Sequence, residues 1–491
     1  MSAEAATGAS TGVPDGDGVA PRGPGWDAGL PDPLGTTPDD VRGRLAGARI
    51  VVVLDDDPTG TQTVRDVPVL TSWGEDDIEW ALDQGGPGFF VLTNTRSLSD
   101  DLAAGRNREV ATACLAVAER RGVRLAFASR GDSTMRGHFP LETDVLRAVA
   151  AEHGEPTDAV LLSPAYLDAG RITLDGIHWL RGPDGLLPAG ASEFARDATF
   201  GYTSSRLSDW VEEKSGGRIP AETVRSIPLD ALRASTGALS DALLAARDGA
   251  VIAIDAVDDD DLRSAVLSVL DAEEAGRSVV YRVGPSFVRA RLGQGRWPAL
   301  DDRELGALRD GGATSRHGLI VVGSHVGLTT RQLDGLRASR PIVEVELSVD
   351  EVIDGDAEAH IAEVAARAAA GLDEATTVVS TSRRLRTGAD ADASLDVSRR
   401  VSAALTAAVR RIVERTRPAY VVAKGGITSS DIATDALGIA RARVAGSMLP
   451  GIVSVWQATS GRAAGLPYVV FAGNVGDDGS LAQVVGRWER T

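Results

Sequence analysis

Three adjacent carboxylates, Asp55, Asp56 and Asp57, follow the apolar run 50–54 and lead into a Pro58-Thr59-Gly60 turn. Like charges this close repel, so a folded chain keeps them together most readily when water, a cation or a hydroxylated ligand lies between them. A simpler role is open for one of them: Asp57 could cap a helix that begins at Pro58, a residue suited to a first helical position. A second cluster, 128–138, follows another apolar run and packs Arg130, Gly131, Asp132, Ser133, Thr134 and Arg136 together. Asn94, Thr95, Arg96 and Ser97 repeat the theme. Arginine grips a carboxylate or phosphate through two parallel hydrogen bonds. These groups together describe a site for a small, acidic, polyhydroxylated molecule, although each Arg-Asp pair taken alone could simply pin two loops.

The second half of the chain carries a different chemistry. The run 420–423 leads into Lys424, Gly425, Gly426, Ile427 and Thr428. Glycines let backbone N–H groups approach an anion, and a helix starting there adds a favourable dipole, so the segment outlines a phosphate cradle. Lys424 and Lys214 are the only lysines among 51 basic residues, and a mobile ammonium beside two glycines suits a polyphosphate. The pair could also be only a tight turn, since this is not a Walker A sequence. Gly323-Ser324-His325 and Gly473-Asn474-Val475-Gly476 also follow apolar runs, so three turns could line one nucleotide pocket. Gly323-Ser324-His325 bears a faint likeness to a hydrolase nucleophile elbow, but that motif needs Gly where Val322 stands. His138, His178 and His325 lack the i, i+4 spacing of a helical metal site.

Holding such groups in place calls for strand ends. Apolar runs at 88–92, 123–128, 159–162, 251–254 and 279–283 alternate with helical patterns such as 102–121, which predicts a mostly parallel sheet with right-handed crossovers. A second series follows at 319–322, 341–347, 376–380, 419–423 and 468–471, with a long helix near 393–415. Gly, Pro and charge dominate 293–318, where the domain boundary is placed. A chain of 491 residues with 43% hydrophobic content can support two cores. The expected class is α/β, with two α/β domains of mostly parallel sheet and a ligand cleft between them: a disordered tail over 1–45, rich in Gly, Pro, Ala and Asp, an N-terminal domain over 46–292 and a C-terminal domain over 316–491. The stretch 381–394 reads as a mobile surface loop whose Arg383, Arg384 and Arg386 are solvated.

Composition narrows the function. A net charge of -19 argues against a nucleic-acid partner, which would need a basic face. Cys114 is the only cysteine, which excludes a disulfide framework and a cysteine-based zinc site. No run approaches the ~20 apolar residues that span a bilayer, so a cytoplasmic protein without a membrane partner is expected.

Five segments in order, Asp56-Asp57-Pro58-Thr59-Gly60, Arg130-Gly131-Asp132-Ser133-Thr134-Met135-Arg136-Gly137, Ser163 through Arg171 with Asp175-Gly176, Val321-Val322-Gly323-Ser324 and Gly425-Gly426-Ile427-Thr428, resemble the motifs of the four-carbon acid sugar kinases over nearly all of 50–487. The resemblance implies ATP-dependent phosphorylation of a sugar acid such as threonate, erythronate or an oxo-tetronate, with the acid held by the N-terminal domain, ATP by the C-terminal domain, and transfer across the cleft. By motif, Asp56 or Asp57, Arg96 and the Arg130, Gly131, Asp132, Ser133 segment correspond to substrate contacts. Ser324, Gly425, Gly426, Ile427, Thr428 and Gly473 with its neighbours Asn474 and Gly476 correspond to nucleotide contacts. The family commonly has Lys for Arg130, Asn for His138, Leu for Pro58 and Glu for Ile427. Arg96, Arg130 and Arg136 are then candidates to grip the substrate carboxylate, Lys424 and Mg²⁺ to offset phosphate charge, and Asp56, Asp57 or Asp132 to act as base. The metal ligands stay unassigned, a homodimer stays open, and a non-catalytic sugar-acid or nucleotide sensor or a serine hydrolase are the alternative functions.

Overall fold

The structure, a computed structural model, describes residues 18–309, 312–383, 386 and 391–490. The Val-, Ile- and Leu-rich runs form strands buried along all or nearly all of their length, including Ile50–Asp55, Gly88–Leu92, Leu125–Arg130, Ala159–Ser163, Ala250–Ile254 and Val279–Val283 in the first half. Leu319–Val322, Thr377–Thr381, Val421–Lys424 and Pro467–Phe471 are their counterparts in the second. Strands of this composition pair in parallel and need helices on both faces. Asp100–Arg121, Leu141–Glu152, Asp259–Glu274, Ala357–Glu374 and Ala391–Arg415 are among the helices present.

Both α/β domains are present, and their strands form one sheet. Its fifteen strands run in the order Val343–Leu347, Thr377–Thr381, Leu319–Val322, Val421–Lys424, Pro467–Phe471, Val453–Ala458, Arg441–Leu449, Val67–Leu70, Gly88–Leu92, Ile50–Asp55, Leu125–Arg130, Val279–Val283, Ala159–Ser163, Ala250–Ile254 and Arg225–Ile227. The seam is the antiparallel pair of Val67–Leu70 with Arg441–Leu449, registered from Arg441 opposite Leu70 to Val444 opposite Val67. Side chains reinforce it. Trp456 Nε1 donates to Thr61 Oγ1 at 2.8 Å, the Thr61 and Ser454 hydroxyls lie 2.9 Å apart, and Arg441 Nε meets Asp77 at 2.6 Å. The 3-10 helix Pro58–Thr63, which follows the acid triplet, therefore rests on strands of the other domain.

The tail expected over 1–45 needs correction. Residues 1–17 lie outside the described residues, but 18–45 are folded onto the N-terminal domain. Arg22 exchanges backbone hydrogen bonds with Leu186 at 2.9 and 2.7 Å, extending the edge of a small antiparallel sheet made of Arg171–Leu174, Ile177–Gly182 and Gly185–Pro188. Its guanidinium lies 5.0 Å from the Trp179 ring centre. Val19, Trp26, Leu30 and Leu45 pack on the main core, and Thr37 caps the helix Pro38–Arg42 in a reciprocal capping box. A few apolar anchors and an open strand edge hold a segment whose composition alone resembles disorder. In the loop expected at 381–394, residues 384–385 and 387–390 lie outside the described residues. Arg383 is not solvated there: it donates to the Ser324 carbonyl at 2.6 Å and to Thr330 Oγ1 at 2.9 Å.

A chain that begins at residue 37 is expected to be about 2 kcal/mol less stable than one that begins at residue 18. Denaturant midpoints of the two forms measure this; equal midpoints would mean that the arm does not dock.

Candidate active site

Strands Ile50–Asp55 and Leu125–Arg130 lie side by side with Asp55 opposite Arg130, so the acid triplet and the basic cluster share one rim. Ligands of open α/β sheets gather at such carboxyl ends. Arginines are what keep the three acids together. Asp55 is buried in an ion pair with Arg130. Asp56, 2% exposed, accepts from Arg96 at 2.6 and 3.0 Å. Behind them the buried Glu142 accepts from Arg282 at 2.8 Å, Ser129 at 2.9 Å and Thr95 at 2.6 Å, which ties together the loops that follow two strands. Burial raises the Asp56 carboxyl to about 6 in spite of Arg96. Burial would also raise Asp132, yet Arg96 and Arg136 hold it far below the usual carboxylate range.

Asp57 fills its simpler role and does more. It caps the helix Pro58–Thr63, accepting the Thr59 N–H at 2.9 Å, and Arg96 reaches it at 3.4 Å. It also stands over the other domain's glycine turn: a Cβ placed on Gly426 would lie 2.9 Å from Asp57 Oδ2.

On the C-terminal side, Leu319–Val322, Val421–Lys424 and Pro467–Phe471 are adjacent and parallel, and the turns that follow them converge. Gly425 has φ +128°, a conformation that disfavours any side chain. A Cβ on Gly473 would come within 2.6 Å of Ser324 Oγ, so glycine is what lets these two turns touch. Ser324 Oγ is bonded by the Val326 N–H at 3.3 Å and the Thr329 hydroxyl at 3.2 Å. Among the described residues no histidine bonds it.

Two cavities open at these rims. One, of 580 Å³, is lined by Asp57, Gln62, Arg96, Arg130, Asp132, Ser133, Arg136, Tyr166 and Arg171, with Gly473, Asn474 and Gly476 reaching in from the C-terminal domain. The other, of 420 Å³, is lined by Asn94, Arg96, Ser324, Val326, Gly425, Gly426, Ile427, Thr428, Gly473 and Asn474. Asp57, Arg96, Gly426, Gly473 and Asn474 line both. Most of the expected site residues are therefore brought together; Asp56, Gly131 and Lys424 line neither cavity.

Two expectations are corrected. Asp56 is committed to Arg96 behind the rim rather than poised as a base. Lys424 is not a mobile ammonium over the glycines: it is fully buried, donates to the Ala472 carbonyl at 2.6 Å and lies 3.7 Å from the Phe471 ring centre. Both contacts favour the cation, but burial prevails and lowers its pKa from 10.5 to about 7. Gln62, Tyr166 and Arg171 also line the cavity without standing out in the sequence as site residues, although Tyr166 and Arg171 lie within the 163–171 segment and Gln62 lies two residues after Gly60. Among the described residues no three His, Cys, Asp or Glu side chains gather as they would around a metal ion, and no helix is long and apolar enough to cross a membrane.

The fold and the paired cavities define a two-domain α/β protein with a nucleotide-type cradle facing a charged polar pocket. Residues 51–291 match the sugar-binding N-terminal domain and residues 319–481 the nucleotide-binding C-terminal domain. The chain belongs to the four-carbon acid sugar kinase family. Among solved structures, a Salmonella typhimurium LT2 protein provisionally called a tRNA synthase is 18% identical with a TM-score of 0.63, covering 88% of this chain and 98% of its own. A Haemophilus influenzae protein placed in a domain family of unknown function is 17% identical with a TM-score of 0.58, covering 89% and 99%. At these identities the likeness is one of fold. No curated protein matches the chain.

The unfolded chain holds the Lys424 proton up to its ordinary 10.5, whereas the folded chain releases it near 7. Unfolded molecules therefore bind more protons across that window, and this lysine makes stability rise with pH from about 7 to about 10.5. Lys424→Met is expected to remove that slope, on the order of 1 kcal/mol per pH unit. Unfolding free energies of both forms at pH 7, 8 and 9 check it; parallel pH profiles would show that Lys424 keeps an ordinary pKa.

Proposed function

We propose that the chain is an ATP-dependent kinase that phosphorylates a hydroxyl of a four-carbon sugar acid such as threonate, erythronate or an oxo-tetronate. The observation that carries this reading is the junction of the two cavities at Asp57, Arg96, Gly426, Gly473 and Asn474. Phosphoryl transfer asks chiefly for positioning and charge neutralisation, with the acceptor oxygen in line with the γ-phosphate. A junction shared by an acid pocket and a glycine cradle supplies that meeting point.

The turns at 323–326, 425–428 and 473–476 offer close backbone approach to the phosphates. Val326 and Ile427, 46% and 58% exposed beside the smaller cavity, offer apolar faces to the nucleotide base. Arg96 lines both cavities and carries charge to the transferring group. In this reading Asp57 accepts the proton of the acceptor hydroxyl, which is supported by its lining both cavities where Asp56 lines neither and Asp132 only the larger, and by the two arginines that lower the basicity of Asp132. The donor set fits Mg²⁺ only in the manner usual for nucleotide sites: with Asp57 the one carboxylate lining the smaller cavity, the ion would be held mainly by phosphate oxygens and water and would neutralise charge there.

In a coupled ADP-release assay with Mg²⁺-ATP, one of D- or L-threonate, D- or L-erythronate or an oxo-tetronate is expected to turn over. Asp57→Asn should lower kcat by ~100-fold or more with a smaller change in KM. No turnover on any of these acids would overturn the kinase reading, and retained binding of ATP or of an acid would then favour a sensor.

A further inference from the structure

Resting on that reading, we propose that Arg171 anchors the substrate carboxylate and that Gln62 Oε1 accepts a hydrogen bond from a substrate hydroxyl, so that the pocket selects hydroxy acids over both neutral polyols and deoxy acids.

Four arginines line the larger cavity. Three are already engaged by the protein's own carboxylates: Arg96 by Asp56 and Asp57, Arg130 by Asp55, and Arg136 by Asp132 at 2.6 Å and Asp197 at 3.4 Å. These were the expected carboxylate grips, and each has its anion. Arg171 differs. Its Nη1 donates to the Ala169 carbonyl, its Nε is buried without a hydrogen-bond partner, and no carboxylate among the described residues lies within ion-pair distance of it. A half-buried guanidinium facing a cavity without a counter-ion is costly until an anion completes it. A carboxylate does so with two parallel hydrogen bonds.

Gln62 supplies the second selection. Only 8% exposed, it donates from Nε2 to Tyr166 Oη at 3.0 Å, while the Tyr166 hydroxyl donates to the main-chain carbonyl of Gly451. Because the tyrosine proton is committed to that carbonyl, Gln62 must turn its amide nitrogen toward Tyr166. The amide orientation is thereby fixed and Oε1 is left as a pure acceptor. That oxygen is buried and has no partner among the described residues. Gln62 lines the larger cavity and also a cavity of 280 Å³ shared with Asp168, Arg181 and Gly451; where its orphan acceptor meets a ligand, it rewards an O–H group and penalises a ligand that lacks one, since the oxygen then stays desolvated and unpaired. Tyr166 Oη also joins the N-terminal domain to the Gly451 turn of the other domain, so the recognising amide is held by both.

The test is calorimetry on the full chain without nucleotide. The probes are D- and L-threonate, D- and L-erythronate, the neutral polyol threitol, and 2-deoxy and 3-deoxy forms of whichever acid binds best. Arg171→Gln is expected to weaken that acid ~100-fold and to leave threitol within about three-fold, with Arg171→Lys recovering part of the loss. Gln62→Met is expected to weaken the acid about ten-fold and to leave one deoxy form unchanged, erasing the discrimination between them; Gln62→Glu, which keeps an acceptor oxygen, should bind better than Gln62→Met. In the ADP-release assay KM should rise more than kcat falls in both variants. Thermal midpoints close to that of the parent establish that the variants fold. If the parent binds an acid and Arg171→Gln binds it within two-fold, or Gln62→Met still distinguishes it from both deoxy forms, the inference fails while the kinase reading stands. If the parent binds none of the acids, both fail together.

Discussion

The site depends on the need to pair buried charge. Asp55, Asp56 and Glu142 sit with Arg96, Arg130 and Arg282 at the carboxyl ends of neighbouring strands, and Asp56, Arg130, Glu142 and Arg282 are each less than 5% exposed. Unpaired, any one of them would shift its protonation or force the chain apart. Paired, they fix the loops after three strands relative to one another. The price is that these groups are no longer free to bind a ligand. The charged segments of the sequence converge on this rim, but the groups without a carboxylate or hydrogen-bond partner of their own are Arg171, at its Nε, and Gln62, at its Oε1, while Asp57 at the rim is shared between Arg96 and the Thr59 N–H.

The two halves handle their ligands by different physics. The N-terminal rim offers side-chain charge and hydrogen-bonding groups with a definite geometry. The C-terminal rim offers backbone brought close by glycine at Gly425, Gly426 and Gly473, which suits phosphate irrespective of what is attached to it. Lys424 belongs to neither. Its side chain packs on the Phe471 ring and secures the Ala472 carbonyl, so it supports the cradle from behind.

What could be read in advance follows from how each element is stabilised. Buried parallel strands announce themselves as continuous apolar runs, and Gly88–Leu92 and Val279–Val283 fall where those runs stand. The antiparallel strands did not: Arg441–Leu449 contains two arginines and a glycine, and its partner Val67–Leu70 lies more than 300 residues earlier, so nothing local marks the pairing. The arm at 18–45 was misread because edge pairing uses backbone groups that every composition possesses. Lys424 was misread because a strand buried on both faces has no polar alternation to show which way a given side chain points. The motifs gathered at the site were legible as a set, but which arginine is spent and which is spare depends on partners that only the folded chain supplies.

The seam between the domains has a mechanical meaning. A two-domain protein whose lobes are joined only by a flexible linker can gape and shut like a jaw, and exchange its ligands through that motion. Here the linker is shunted by a backbone ladder between Val67–Leu70 and Arg441–Leu449, with Thr61 and Trp456 bolted across it. Swinging the lobes apart would tear that ladder. The cleft is a notch cut in one continuous girder, and its lip is made of the turns that follow the strands.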